Sequence, residues 1–424
     1  MVRVHFTGFA AVAVLFATAC TPPPNPSARV DAQLAEQIAH IQAVDNHAHP
    51  VRPTLEGETP DMEYDALPVE NLEPQSDQLL LRPNAPDIVE AHKRMFGGKK
   101  SDAMKKYGRD YAVHVLDELN IETMLANRVA LGPGLPSPRF LWVPFADALM
   151  YPLPTESIIH NSDQRAFFAL EDKLLKRYYA ESGVTAKPAT LDDYLTHVVR
   201  ATLERHRAAG AVAEKFEMAY LRQLDLGNPT KADAEKYYTT GTGDYKALQD
   251  YIFRFIATEC GRLGMAVHFH TGAGGGGYFN VTGSNPMLLE PLLNDPALRK
   301  TTFVMLHGGW PFEHELTGLL TKPNAYFDFS AQTAMNTPHE VARAIRQWLE
   351  YVPEKVMYAT DAYPFAPPDA GWEELGYAAN QTGREALGIA LTEMLHDQEI
   401  TRDRAVELAR MVLRENARKL YGIK

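Results

Sequence analysis

Short apolar runs alternate with longer amphipathic stretches along most of this chain, which predicts strands and helices in turn. Strands are expected within 43–50, which ends in a turn, and over 122–130, 139–144, 211–217, 264–271, 302–307, 325–330 and 355–360. Helical periodicity covers 31–42, 87–96, 101–119, 163–182, 191–209, 244–263, 286–293, 313–321, 337–351, 383–396 and 401–421. The stretch 51–86 is rich in proline and acidic residues and has no clear period. A segment of that length in a compact domain is characteristic of a lid or binding loop.

Strands alternating with helices imply an α/β fold with a parallel sheet. The runs 302–306 and 356–359 are continuously apolar, as strands covered on both faces should be. A barrel uses roughly 30 residues per strand–helix unit. The spacing of 37 positions from His270 to His307 suits one such unit. An open doubly wound sheet would want a glycine-rich first turn, but here the first strand ends in histidines. The expectation is therefore a TIM (β/α)8 barrel over residues 31–424, with a lid and helical insertion after the first strand and closing helices at the C-terminus.

Residues 1–20 differ in character. An apolar run over 6–19 follows Arg3 and His5 and is too short to span a bilayer, as in a signal peptide. Ala17-Thr18-Ala19-Cys20 resembles a bacterial lipobox, with Cys20 as the lipidated residue and 21–30 as a proline-rich tether. An ordinary cleaved signal peptide, with Cys20 incidental, is the alternative. Either reading places the mature protein outside the cytoplasm, in the periplasm or anchored to the outer membrane. The second cysteine, Cys260, falls in a helical stretch and reads as a buried thiol. Hydrophobic residues make up 45% and charged residues 23%, which suits a globular protein with a substantial core. The net charge of -12, with no basic run, excludes a nucleic-acid surface.

The candidate chemistry lies at strand ends. His47 and His49 are two apart on a strand and share one side, so both rings can reach a single metal ion. His268 and His270 repeat that spacing, His307 ends the next strand, and Asp361 ends the last. In a barrel the C-terminal strand ends converge on one mouth, where active sites form. Four separate strand ends thus offer histidines and an aspartate to a common point.

The order His-x-His, His-Thr-Gly, Leu-His-Gly-Gly and Ala-Thr-Asp resembles the amidohydrolase superfamily. It is most similar to the branch that contains aminocarboxymuconate semialdehyde decarboxylase and the amidohydrolase half of nodulin–glutamine synthetase fusion proteins. Lys215 with Ala219-Tyr220-Leu221-Arg222, Asn285-Pro286, Trp310-Pro311-Phe312, 325–329 and the closing 416–422 follow in the order of the latter group. The match covers 211–360, the first strand and the closing segment; 51–209 matches poorly and is where substrate specificity is expected to reside.

The resemblance implies roles. His47, His49 and His270 would be metal ligands. Asp361 would be a ligand and the proton acceptor for the attacking water. His307 would polarise the substrate or stabilise charge. In some members of the superfamily a lysine at the position of Lys215 is carboxylated and bridges two metals; otherwise it pairs with a carboxylate or binds an anionic substrate. One divalent ion is expected, zinc first, although manganese and iron suit the same donors. His268 departs from the glutamine-like residue of the nearest group and would orient a ligand, join a second metal or face substrate. Tyr220 and Arg222 are candidate substrate contacts, the arginine fork suiting a carboxylate. The glycine-rich 272–277, directly after His270, reads as a gating loop.

Three functions fit these residues. The first is hydrolysis of a C–N or C–O bond in an amide, cyclic amide or lactone of a small molecule. The second is non-oxidative decarboxylation with the same ligands. The third is a non-catalytic metal- or ligand-binding lipoprotein. Barrels of this branch commonly pair, so a homodimer is an expectation as well.

Overall fold

The computed structural model describes residues 30–365, apart from 56, 70–71 and 73–78, and residues 371–424. The expected leader and most of its tether, residues 1–29, lie outside the described residues. Among the described residues, eight parallel strands form two hydrogen-bonded sets. β1 (Ala43–Ala48), β2 (Ile121–Asn127) and β3 (Phe140–Val143) pair in that order. β4 (Ala213–Phe216), β5 (Ala266–His270), β6 (Phe303–Leu306), β7 (Ala325–Asp328) and β8 (Val356–Met357) pair in the other set.

Backbone hydrogen bonds stitch the sets together at both seams. Val212 N donates to Trp142 O (3.0 Å) and Lys215 N to Pro144 O (2.7 Å) between β3 and β4. Asn46 N donates to Tyr358 O (3.0 Å) and Asp361 N to His47 O (2.8 Å) between β8 and β1. The strands form the expected TIM barrel, with a sheet edge paired at each seam.

Strand alternation sorts the side chains. Ile121, Phe216, Phe269, Phe303, Phe327 and their alternates face outward into the large core shared with the helices. Val44, Leu125, Ala213, Ala266, Val304 and Met357 face inward and form a separate cluster. The closing helix Asn416–Tyr421 packs Ala417, Leu420 and Tyr421 against that inner cluster, so one end of the barrel is filled. The functional groups gather at the other end.

Several helices begin at a side-chain cap. Asp31, Thr190, Thr230 and Thr401 each accept from a backbone N–H three residues on. The segment expected as one helix over 101–119 divides at Gly108, where φ is 55°, into Lys100–Tyr107 and Tyr111–Glu118. The helix expected over 383–396 starts much earlier and spans Trp372–His396. Glu373 and Glu374 interrupt the apolar pattern there, yet both are buried, bonded to Tyr111, His92 and Lys100. A further helix, Lys231–Thr240, was not anticipated, although Thr230 and Asp233 carry its capping signal.

The segment after β1 is latched to the barrel. Asp61, 1% exposed, takes a two-pronged contact from Arg128, itself fully buried: Nη2 to Oδ1 and Nη1 to Oδ2, each 2.9 Å. Arg52 donates to the same carboxylate, and Arg177 reaches Glu63. This fixes residues 61–65 at the barrel mouth.

Candidate active site

Strand direction decides which residues meet. Inward positions on β5 descend from His270 through His268 to Ala266, and on β4 from Lys215 to Ala213, so only the upper layer reaches the mouth. There His47, His49, Lys215, Glu217, Tyr220, His270, His307 and Asp361 line one cavity of about 130 Å³. Asp65 closes it from the segment after β1.

Asp361 Oδ1 lies 3.1 Å from His47 Nε2 and 3.7 Å from His49 Nε2, and Oδ2 lies 3.7 Å from His307 Nδ1. His47, His307 and Asp361 each offer one ligand atom, and the three atoms fall within 4.8 Å of one another. His270 Nδ1 is 3.1 Å from His307 Nε2. His307 and Asp361 have φ of 66° and 57°, a region that costs non-glycine residues about 1–3 kcal/mol and is concentrated at functional sites.

The donor chemistry suits a divalent cation. Burial, aided by the Lys215 charge, pushes the His47 ring well below its ordinary pKa and His270 down to about 3; burial also pushes His307 well below its ordinary value. All three are therefore neutral imidazoles with one bare nitrogen each. His270 Nε2 lies 3.1 Å from Ala273 O, a pure acceptor, so its proton sits there and Nδ1 presents a lone pair toward His307. Among the described residues, His47 Nδ1 is buried without a hydrogen-bond partner. Bare imidazole nitrogens around a carboxylate are a donor set that suits a divalent metal ion.

A second group was not found by sequence reasoning. His49 Nδ1 lies 3.5 Å from Asp65 and 3.1 Å from Tyr64 O. His49, Asp65 and Glu217 offer ligand atoms within 4.8 Å of one another. Lys215 Nζ sits 3.7 Å from Glu217 Oε1 and 3.4 Å from His47 Nε2. The spacing of Glu217, two beyond Lys215 on one strand face, was a usable signal; Asp65 lies in irregular chain and gave none. Behind Glu217, Asp147 accepts from its backbone N–H at 2.8 Å, and burial raises Asp147 to about 7. Burial also raises Glu217 and Glu171 well above the carboxylate range, with neighbouring carboxyls adding to it.

Two expected residues stand apart from the cavity. His268 is in the layer below, 2.8 Å from the Tyr421 hydroxyl. Arg222 lines a neighbouring cleft, where Nη1 lies 2.7 Å from Asp250 and donates to Gln249. Tyr220 borders both spaces, its ring 4.7 Å from that of His270. Cys260 is buried. In the loop after His270, Gly272 has φ of 80°, and an added Cβ would sit 2.1 Å from Trp310 O.

Protein fluG of Emericella nidulans is 24% identical over 280 residues, 64% of this chain and 30% of fluG, so the chain spans less than a third of that relative. The fold is similar to a candidate metal-dependent hydrolase of Lactobacillus casei (TM-score 0.62, 17% identity, covering 92% of this chain and 97% of that one). It is also similar to uronate isomerase of Thermotoga maritima (TM-score 0.57, 11% identity, 95% and 100% covered). A third similar fold is glucuronate isomerase of Caulobacter crescentus (TM-score 0.56, 13% identity, 97% of each). The sequence profile described as Amidohydrolase matches residues 160–423, which is more than half of the chain. With the barrel and its ring of histidines, that match establishes that the chain belongs to the amidohydrolase family.

Proposed function

We propose that this protein is a metal-dependent hydrolase that cleaves a C–N or C–O bond in an amide, cyclic amide or lactone. The observation that carries the reading is the meeting of Asp361 with His47, His49 and His307 at one cavity wall, with His270 facing His307. In this reading His47, His49, His270 and Asp361 hold one divalent cation. Such a cation, when bound, polarises a carbonyl and lowers the pKa of water toward about 7. Asp361, whose side chain is 15% exposed, takes the proton of the attacking water and passes it to the leaving group. Lys215 lies between His47 and Glu217, where its side chain is placed to attract an anionic part of the substrate. Residues 61–65 exclude bulk water from one side, and the glycine-rich loop covers the other.

The test is metal content by elemental mass spectrometry, then turnover of amides and lactones. About one ion per chain, lost in His47→Ala/His49→Ala, is expected. About two would bring in Lys215 or the His49–Asp65–Glu217 group. Asp361→Asn should keep the ion and lose turnover; undiminished turnover would defeat the water-activation role. Decarboxylation uses the same donors and would register as CO2 release from unsaturated or aromatic acids without hydrolysis of any amide or lactone.

A further inference from the structure

We infer that Ser330 and Asp328 are positioning residues that fix the proton of His307 on Nδ1, so that Nε2 serves as an acceptor and not as a donor to substrate. The inference builds on the hydrolase reading, and it changes what His307 can do there.

A chain of hydrogen bonds runs beneath the cavity, and its directions follow from the chemistry of its members. Asp328 Oδ1 is met by three donors: the backbone N–H of His307 (3.0 Å), the backbone N–H of Ser330 (3.1 Å) and the Ser330 hydroxyl (2.6 Å). Asp328 Oδ2 accepts from the Asn46 amide nitrogen at 2.7 Å. Backbone N–H groups can only donate, and the Asn46 amide is oriented by its other end. Tyr421 donates its hydroxyl to Asn46 Oδ1 at 2.6 Å, and His268 Nε2 lies 2.8 Å from that same hydroxyl. Burial pushes the Asp328 carboxyl up while these donors favour its charged form; in that form it is the common acceptor of two arms. One is His268 to Tyr421 to Asn46; the other is His307 to Ser330.

The upper arm sets the tautomer. Ser330 Oγ spends its single proton on Asp328, so it can only accept from His307 Nδ1, 2.8 Å away. The ring proton is then held at Nδ1, and Nε2 is bare. This nitrogen faces His270 Nδ1, which is also bare because His270 donates to Ala273 O. Two lone pairs 3.1 Å apart are stable only with a positive charge shared between them. His307 thus acts as a further donor toward the cation, or as a proton acceptor. It does not polarise a carbonyl by hydrogen-bond donation, the role expected from the sequence. The same network gives His268 a place: it anchors Tyr421 of the closing helix and takes no part in the cavity. A histidine ligand whose other nitrogen is held by a hydroxyl–carboxylate relay follows the general pattern by which outer partners orient metal-binding imidazoles.

The alternative arrangement puts a proton on Asp328, turns the Ser330 hydroxyl toward His307 Nδ1 and leaves the ring proton on Nε2. Imidazole 15N spectra distinguish the two. The protein is labelled at histidine, His307 is assigned by difference from His307→Gln, and spectra are taken as purified and after zinc addition. The expected result is protonated Nδ1 in both, with redistribution toward Nε2 in Ser330→Ala and recovery in Ser330→Thr. Zinc affinity should fall by about 10–100-fold in Ser330→Ala and recover in Ser330→Thr. A parent spectrum with the proton on Nε2 would overturn the assignment, as would unchanged spectrum and zinc affinity in Ser330→Ala. Failure of the parent to bind zinc would count against the hydrolase reading, and the spectrum of the protein as purified would still decide the tautomer.

Discussion

Replacing Asp61 by asparagine tests how firmly the mouth segment is held. The change keeps the shape of the side chain and removes its charge. Among the described residues, the hydrogen-bond partners of the fully buried Arg128 would then be neutral: the Pro50 and Ala130 carbonyls and the new amide. Burial alone would raise the Asp61 carboxyl, but the hydrogen bond and charge of Arg128 outweigh it and hold the group below its ordinary value. Breaking one side of a buried ion pair costs about 3–5 kcal/mol, because the remaining charge stays desolvated. Asp61→Asn should therefore lower the urea unfolding free energy by about that amount, or release 50–65 locally at the same cost. Local release would appear as protease cleavage near Asp61 and weaker metal binding, since Tyr64 and Asp65 hold the His49 ring. The double variant Asp61→Leu/Arg128→Met removes both charges, and its stability should return to within about 2 kcal/mol of the parent. If the single variant loses less than about 1 kcal/mol without local release, or the double loses as much as the single, the latch argument is refuted.

Other consequences are open to measurement. Asp147 is raised to about 7 in the fold from an ordinary 3.8, so its protonated form favours folding. That contribution is complete below about pH 4 and is lost as pH rises through about 7. Asp147→Asn should reduce the fall in melting temperature between pH 6 and pH 8; equal falls in parent and variant would show that Asp147 is not the group responsible. Gly272→Ala combines a left-handed backbone with a Cβ driven into Trp310 O, and should cost roughly 2–4 kcal/mol by urea titration. A cost near zero would mean that the loop after His270 moves aside freely.

Much of the fold was legible because barrel strands carry strong, short apolar signals. β6 and β7 fall within the stretches expected for them, since strands covered on both faces leave little room for polar residues. The first turns of Trp372–His396 were illegible because Glu373 and Glu374 look like surface residues until Lys100, His92 and Tyr111 are folded against them. In the site, the residues announced by spacing (His47, His49, His270, His307 and Asp361) meet at the mouth. Asp65 reaches the same cavity from chain without periodicity, and Arg222, two residues after Tyr220 in sequence, turns into another cleft.

The sequence by itself determined the alternation of strands and helices, the family, and which strand ends carry nitrogen and oxygen donors. Those properties are local, written in periodicity and in residue spacing along one strand. Tertiary structure alone decided the partners: Asp65 on His49, Ser330 and Asp328 under His307, and Tyr421 against His268. Such contacts join residues distant along the chain, and direction, burial and proton placement arise only when the barrel closes. The helix Asn416–Tyr421 lies beneath β1, and that proximity connects His268, which does not line the cavity, to the carboxylate that orients His307.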